Sequence, residues 1–179
     1  FQNSGIKDVL QNNNVKNLVD YCFGVEVGMV TNARKNRTGT LMENLVGKYL
    51  DGFCQKHDNY EYTDQATKDK IKQKFGYEIK IDKNSRRFDF SLYDKAKNKL
   101  FLIEVNYYSG GGSKLKATAG EYKSLHNFLK EQGLTFIWIT DGTGWLTALR
   151  PLEETFNHND HVLNIEMLKN GVFDEIVNN

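Results

Sequence analysis

The sequence predicts an α/β domain, a central mixed β-sheet flanked by helices, and three observations carry that expectation. Two short runs of aromatic and aliphatic residues, Arg87-Phe88-Asp89-Phe90 and Leu100 through Tyr108, read as strands joined by the polar connector Asp94 to Lys99. Apolar residues recur at helical spacing before them, at Leu41, Leu45, Tyr49 and Phe53, and after them, at Leu115, Ala119, Tyr122, Leu125 and Leu129. A buried run, Phe136-Ile137-Trp138-Ile139-Thr140, follows the second helix. Strands joined by a short connector lie antiparallel, and a strand reached through a helix lies parallel, so the expected order is αβββαβ.

Residues 4–23 carry apolar positions at helical spacing, interrupted by Asn12-Asn13-Asn14, which predicts two short helices. The helix expected from Leu41 to His57 has Val46 and Leu50 widening its apolar face, with Thr40 and Glu43 spaced as a capping box. A short strand is expected over Tyr60–Tyr62, a lysine-rich helix over Asp64–Phe75 and a strand near Tyr77–Ile81. Ser109-Gly110-Gly111-Gly112-Ser113-Lys114 forms a glycine loop opening a helix that runs to about Gln132, where Gly133 is a natural stop. The chain turns at Asp141-Gly142-Thr143-Gly144 and is helical past Pro151, and its tail reads as a short strand and small helices.

The 179 residues suffice for one good core but not for two domains of ordinary size. A content of 26% charged and 39% hydrophobic residues with one proline excludes a disordered chain, and no apolar run approaches a membrane span. Cys22 and Cys54 sit in apolar helical contexts, as buried thiols do in a reducing compartment. The net charge of +1 announces no nucleic-acid binder, yet positive charge is locally clustered: Arg34, Lys35 and Arg37, then Lys83 to Arg87, then Lys114 and Lys116. A groove can be positive while the molecule is nearly neutral.

The chemistry-bearing pattern is the strand pair. Asp89 stands in an apolar setting on one strand and Glu104 on the next, followed two positions on by Asn106. Isolated carboxylates are costly to bury, so two on adjacent core strands suggest a shared cation, the skeleton of a divalent-metal phosphodiesterase site. The alternative is a pair at the sheet surface, hydrogen-bonded locally. Glu43 either caps its own helix or projects toward the same acids. The glycine loop starts three residues after Asn106 and would hang over the same strand ends. Tyr107, Tyr108, Ser109, Gly110, Gly111, Ser113 and Lys114 could there meet a nucleic-acid backbone or base edges. Walker and dinucleotide-binding spacings are absent, and His57, His126, His158 and His161 show no zinc-like grouping, which leaves them as surface or capping residues.

With these pieces in place the chain resembles the DpnII/MboI-type type II restriction endonucleases. The resemblance rests on Asn32 to Arg37 with Leu41-Met42-Glu43-Asn44-Leu45, on Arg87 to Phe90 and on Ile103 through Leu115. It continues in Trp138 to Gly142, Gly144-Trp145 and Leu152 to Phe156. It implies one nuclease domain over residues 1–179 with the PD-(D/E)xK core, and a full-length enzyme with a further N-terminal third. By matching position, Asp89 is the aspartate of that motif, Glu104 its acidic partner and Glu43 the accompanying helix glutamate. Asn106 stands where most members have lysine, so Lys114, Lys116 or the metal itself would have to activate water.

The resemblance further implies Mg²⁺ held by Asp89, Glu104, the Val105 carbonyl and Glu43. Double-stranded DNA would be bound by Arg34, Lys35, Arg37, Arg86, Arg87, Tyr108, Ser109, Gly110, Gly111, Ser113, Lys114 and Lys116. It implies cleavage at a short palindrome such as GATC by a homodimer in a bacterial cytoplasm, beside a cognate DNA methyltransferase. A non-cutting DNA-binding module and a structure-selective repair nuclease are the alternative functions.

Overall fold

Helix α1, residues 39–56, opens the part of the chain that the computed structural model describes, residues 39–178. The helices expected over residues 4–23, Cys22, and Arg34, Lys35 and Arg37 lie outside it. The inward face of α1 is Met42, Val46, Leu50 and Phe53, all buried, whereas Leu41 and Leu45 are exposed. The stripe is therefore rotated by one residue, about 100°, from the expected one, because Met42 and Val46 reach the sheet. Thr40 lies within the helix rather than at its cap, so the capping-box reading of Glu43 does not hold.

Strand β1 spans Tyr60–Thr67, five residues beyond its expected end at Tyr62, and pairs antiparallel with β2, Arg87–Asp94. Its outward residues Glu61 and Asp64 are exposed, which gave this stretch its polar, helix-like look. Helix α2 is Lys68–Phe75, capped by Thr67, whose hydroxyl accepts from the Lys70 amide at 3.2 Å, and ended by Gly76 at φ 69°. The strand expected near Tyr77–Ile81 does not form. Ile79 still enters the core, but the Gln132 side chain, not a neighbouring strand, bonds the Lys80 backbone at 2.9 and 3.3 Å.

Strands β2 and β3, Lys99–Tyr107, form the expected hairpin. The Asp94 carboxylate closes its turn by accepting from the amides of Ala96 at 2.9 Å and Lys97 at 3.2 Å. Helix α3, Ser113–Lys130, crosses to β4, Thr135–Asp141, which runs parallel to β3. A 3₁₀ turn, Thr143–Thr147, leads to α4, Leu149–His158, with Pro151 in its first turn, where the missing N–H costs nothing. Strand β5, Val162–Leu163, and two short helices, α5 at Ile165–Lys169 and α6 at Val172–Asn178, complete the expected tail. The sheet order is β1-β2-β3-β4-β5, mixed as expected. No helix among the described residues is long and apolar enough to cross a membrane.

Each face of the sheet buries its own core. Leu100, Leu102, Phe136 and Trp138 pack under Leu125 and Leu129 of α3. Phe101, Ile103, Ile137 and Ile139 pack under α1 and α6 on the other side. His126 is buried on α3 rather than at the surface, with Nε2 3.6 Å from Asp160, and burial lowers its pKa.

The period-two alternation of a strand breaks at one rung. Phe90 and Tyr62 face α1, whereas Phe88 and Ala66, an even number of residues away, face α3. Register is kept on both sides, Asp64 opposite Phe90 and Ala66 opposite Phe88, but the intervening pair, Gln65 and Asp89, is skipped. Gln65 has φ 44°, a costly left-handed conformation for a residue with a Cβ. Both strands change face where Asp89 stands.

The glycine loop after β3 is held against the turn after β4. The Tyr108 amide donates to the Asp141 carbonyl at 2.9 Å, and the Gly144 amide to the Tyr108 carbonyl at 2.8 Å. Gly142 has φ 115°, and a Cβ there would lie 2.2 Å from the Tyr108 oxygen. Gly142→Ala is therefore expected to lower unfolding free energy by about 3 kcal/mol, adding left-handed strain to backbone overlap; urea denaturation followed by circular dichroism measures it.

Candidate active site

Asp89 and Glu104 come together just past the end of the β2–β3 ladder, whose last bonded pair is Phe90 with Ile103. Continued by one rung, the same register sets Asp89 beside Glu104. Asp89 instead turns its carboxylate to the next strand, where Oδ2 accepts from the Val105 amide at 2.7 Å. The change of face at this rung allows that reach.

Glu104 is 6% exposed. Its Oε2 accepts from the Tyr122 hydroxyl at 3.2 Å, and Oε1 lies 3.7 Å from Arg86 Nη1. Burial, then the charge of Asp89, raises the Glu104 carboxyl well above its ordinary range, against the pull of Arg86. Burial raises Asp89 as well, opposed first by the Val105 amide. Two carboxylates so placed resist being ionised together, and a cation between them would relieve that.

Glu43, on α1, is half-buried. Its carboxyl is raised by burial and then by the charge of Asp89, and lowered by Arg87. Among the described residues no group of three or more His, Cys, Asp or Glu side chains is close enough to ligate one ion. The donor set at hand is two carboxylates with neighbouring backbone oxygens. That suits a hard cation such as Mg²⁺, which keeps several of its waters and takes few protein ligands.

Asn106 accepts from the Trp138 indole N–H through Oδ1 at 3.0 Å, which orients its amide. The other expected site residues separate into two groups. Arg87, Ser109, Gly110, Gly111, Ser113, Lys114 and Lys116 are exposed around β2 and the glycine loop. Tyr108 and Arg86 are buried: the Tyr108 hydroxyl donates to Thr118 at 3.0 Å, and its ring packs edge-on against Trp145. The Arg86 guanidinium is taken up by Asp82 and Glu121. Sequence reasoning missed Tyr122 as a site residue, counting it in the apolar stripe of α3. The available signal was its hydroxyl, because a buried tyrosine needs a polar partner.

A mixed sheet with an antiparallel hairpin, a crossover helix and a parallel fourth strand is the restriction-endonuclease-like fold. The chain belongs to the DpnII restriction endonuclease family, which matches residues 1–175. It is 58% identical to the type II restriction enzyme MjaIII of Methanocaldococcus jannaschii, over 99% of this chain and 62% of that protein. It is 45% identical to LlaDCHI of Lactococcus lactis subsp. cremoris, over 97% of this chain and 57% of the relative. For DpnII of Streptococcus pneumoniae the figures are 43%, 96% and 60%. The chain thus spans about three fifths of the length of these relatives. Among solved structures, MunI restriction endonuclease in complex with cognate DNA matches at 12% identity and a TM-score of 0.37, over 59% of this chain and 72% of that one.

The raised carboxyls make a prediction with a definite sign. A folded-state pKa above the ordinary value, 4.5 for Glu104, gives stability that is full below that value and is lost as pH rises through the raised one. In EDTA, the melting temperature of the wild type relative to Glu104→Gln should therefore fall as pH is raised from the acid side. Equal melting curves for the two proteins at every pH would contradict the buried pair.

Proposed function

We propose that this chain carries the catalytic core of a type II restriction endonuclease, hydrolysing double-stranded DNA within a short palindrome in the presence of Mg²⁺. The observation that carries the reading is the Asp89–Glu104 pair, Glu104 buried and Asp89 half-buried, on two adjacent strands, the second of which runs on into an exposed glycine loop. The names of the relatives agree with it, and GATC is the target that the family resemblance suggests.

Asp89 and Glu104 would hold the cation, with the Val105 carbonyl as the further oxygen that resemblance points to and Glu43 helping to hold a water of the ion. A Mg²⁺ held there would supply Lewis-acid chemistry, polarising the scissile phosphate and making a nearby water more acidic. The chain's own groups do the positioning. The Val105 amide aims Asp89, and Tyr122 with Arg86 aims Glu104. With Oδ1 turned to Trp138, Asn106 has its Nδ2 hydrogens to offer a phosphate oxygen or a water. An amide can orient that water but can neither carry a charge nor take its proton at neutral pH. Arg87, Lys114 and Lys116 would meet the phosphate backbone, which positions a duplex without reading its sequence, while Ser109 and Ser113 could reach base edges.

A two-fold palindrome is matched by a two-fold dimer, so the working unit proposed is a homodimer. A cognate methyltransferase would protect the host's own sites.

Asp89→Ala and Glu104→Ala should each lower cleavage of plasmid DNA by about a thousandfold or more, ~4 kcal/mol in the barrier, while DNA binding survives in a gel-shift assay. Discrete fragments from unmethylated plasmid, with protection on methylation, would establish sequence recognition. Smeared products would favour a structure-selective nuclease, and binding without Mg²⁺-dependent nicking a non-cutting module.

A further inference from the structure

An arginine at the mouth of a strand ordinarily points to solvent, yet Arg86 is only 7% exposed. Its Nε and Nη2 take the two oxygens of Asp82 at 2.8 and 2.6 Å, and Nη2 also reaches Glu121 Oε1 at 2.9 Å. The remaining nitrogen, Nη1, faces Glu104 Oε1 at 3.7 Å. One guanidinium thus bridges three carboxylates from three segments: the loop before β2, strand β3 and helix α3. Glu121 is itself tied to Lys83 at 2.8 Å, which steadies that anchor. A planar fork held on two sides is preorganised, as the flexible ammonium of a lysine is not.

The arrangement resolves a deficit in charge. Glu104 and Asp89 are mutually repelling and largely cut off from water, and Asn106, two residues along β3, brings no charge. Among the described residues Arg86 is the cation that pairs with Glu104. Tyr122 donates to the other oxygen of the same carboxylate, so both of its oxygens are approached by protein donors. The outer partners of metal-binding carboxylates set their direction and affinity in this way.

We propose that Arg86 is a positioning residue for a divalent-cation site at Asp89 and Glu104. Anchored by Asp82 and Glu121, it fixes the Glu104 carboxylate and supplies beside it the positive charge that Asn106 cannot. The inference rests on the metal-site reading given above. It assigns Arg86 to the inside of the site, while Arg87, exposed and next in sequence, is left to face the duplex.

The test is calorimetric titration of Mn²⁺ into DNA-free protein near neutral pH, for wild type, Arg86→Met, Arg86→Lys and, as a control in the connector at the far end of the hairpin, Lys95→Met. The Kd for Mn²⁺ should rise by about tenfold or more in Arg86→Met and by a smaller factor in Arg86→Lys, which restores charge without the fork, while Lys95→Met stays within about threefold of wild type. The Mg²⁺ concentration for half-maximal plasmid cleavage should rise in the same order, with Arg86→Lys recovering turnover at saturating Mg²⁺. Far-UV circular dichroism checks folding, and if Arg86→Met fails to fold, Arg86→Lys decides alone. Wild-type affinity in a folded Arg86 variant overturns the positioning role and leaves the metal site standing. A wild type that binds no Mn²⁺ overturns the metal site and this role together.

Discussion

Two carboxylates that repel each other in a nearly dry setting are held side by side, and the rest of this domain is arranged to make that tolerable. The opposing forces are clear. Burial and mutual charge push a proton back onto Glu104, while the Val105 amide on Asp89, and Arg86 and Tyr122 on Glu104, pull the other way. An unpaired charge buried this far from water would be several kcal/mol unfavourable. The compensation offered by the protein is partial, and a cation held between the two carboxylates, as proposed above, would complete it.

The backbone contributes as much as the side chains. The skipped rung between Gln65 and Asp89 spends a left-handed residue and a ladder pairing, and in return both strands change face where Asp89 must reach across to Val105. Strain of this kind persists only where the surroundings over-determine it. Here the surroundings are two packed cores, one on each face of the sheet. The tight seam between Tyr108, Gly142 and Gly144 fixes the loop in a comparable way, since a side chain at Gly142 would overlap the Tyr108 carbonyl. Carboxylates and loop are therefore both held by regular structure rather than left to mobile segments.

Membership of the DpnII restriction endonuclease family fits this picture. Asn106, two residues along β3 from Glu104, brings no charge to the acids. The positive charge beside Glu104 is that of Arg86, which directly precedes β2 in sequence. Neighbouring arginines are thereby divided between inside and outside. Arg86 is drawn in by three carboxylates, and Arg87 stays exposed, near enough to Asp89 and Glu43 to favour their charged forms.

Much of this was legible in the linear sequence. Apolar periodicity gave the β2–β3 hairpin, the crossover helix with its stripe Leu115 to Leu129, and β4, because those elements are buried and burial imposes a period. It failed at β1, where one face meets solvent and the alternation is diluted by Glu61 and Asp64. It also failed at Tyr77–Ile81, where a glutamine side chain stands in for a neighbouring strand. Asp89 and Glu104 were recognisable because acids are rare inside core strands. The residues that act on them were not. Tyr122 looked like one more apolar position, Arg86 like part of a basic loop, and Gln65 like nothing in particular. Composition and periodicity, being local, determined which residues face a core and which acids are out of place there. Which donor reaches which carboxylate depends on strand register, on the change of face at one rung and on the crossing of α3 over β3, and only the tertiary structure decides those.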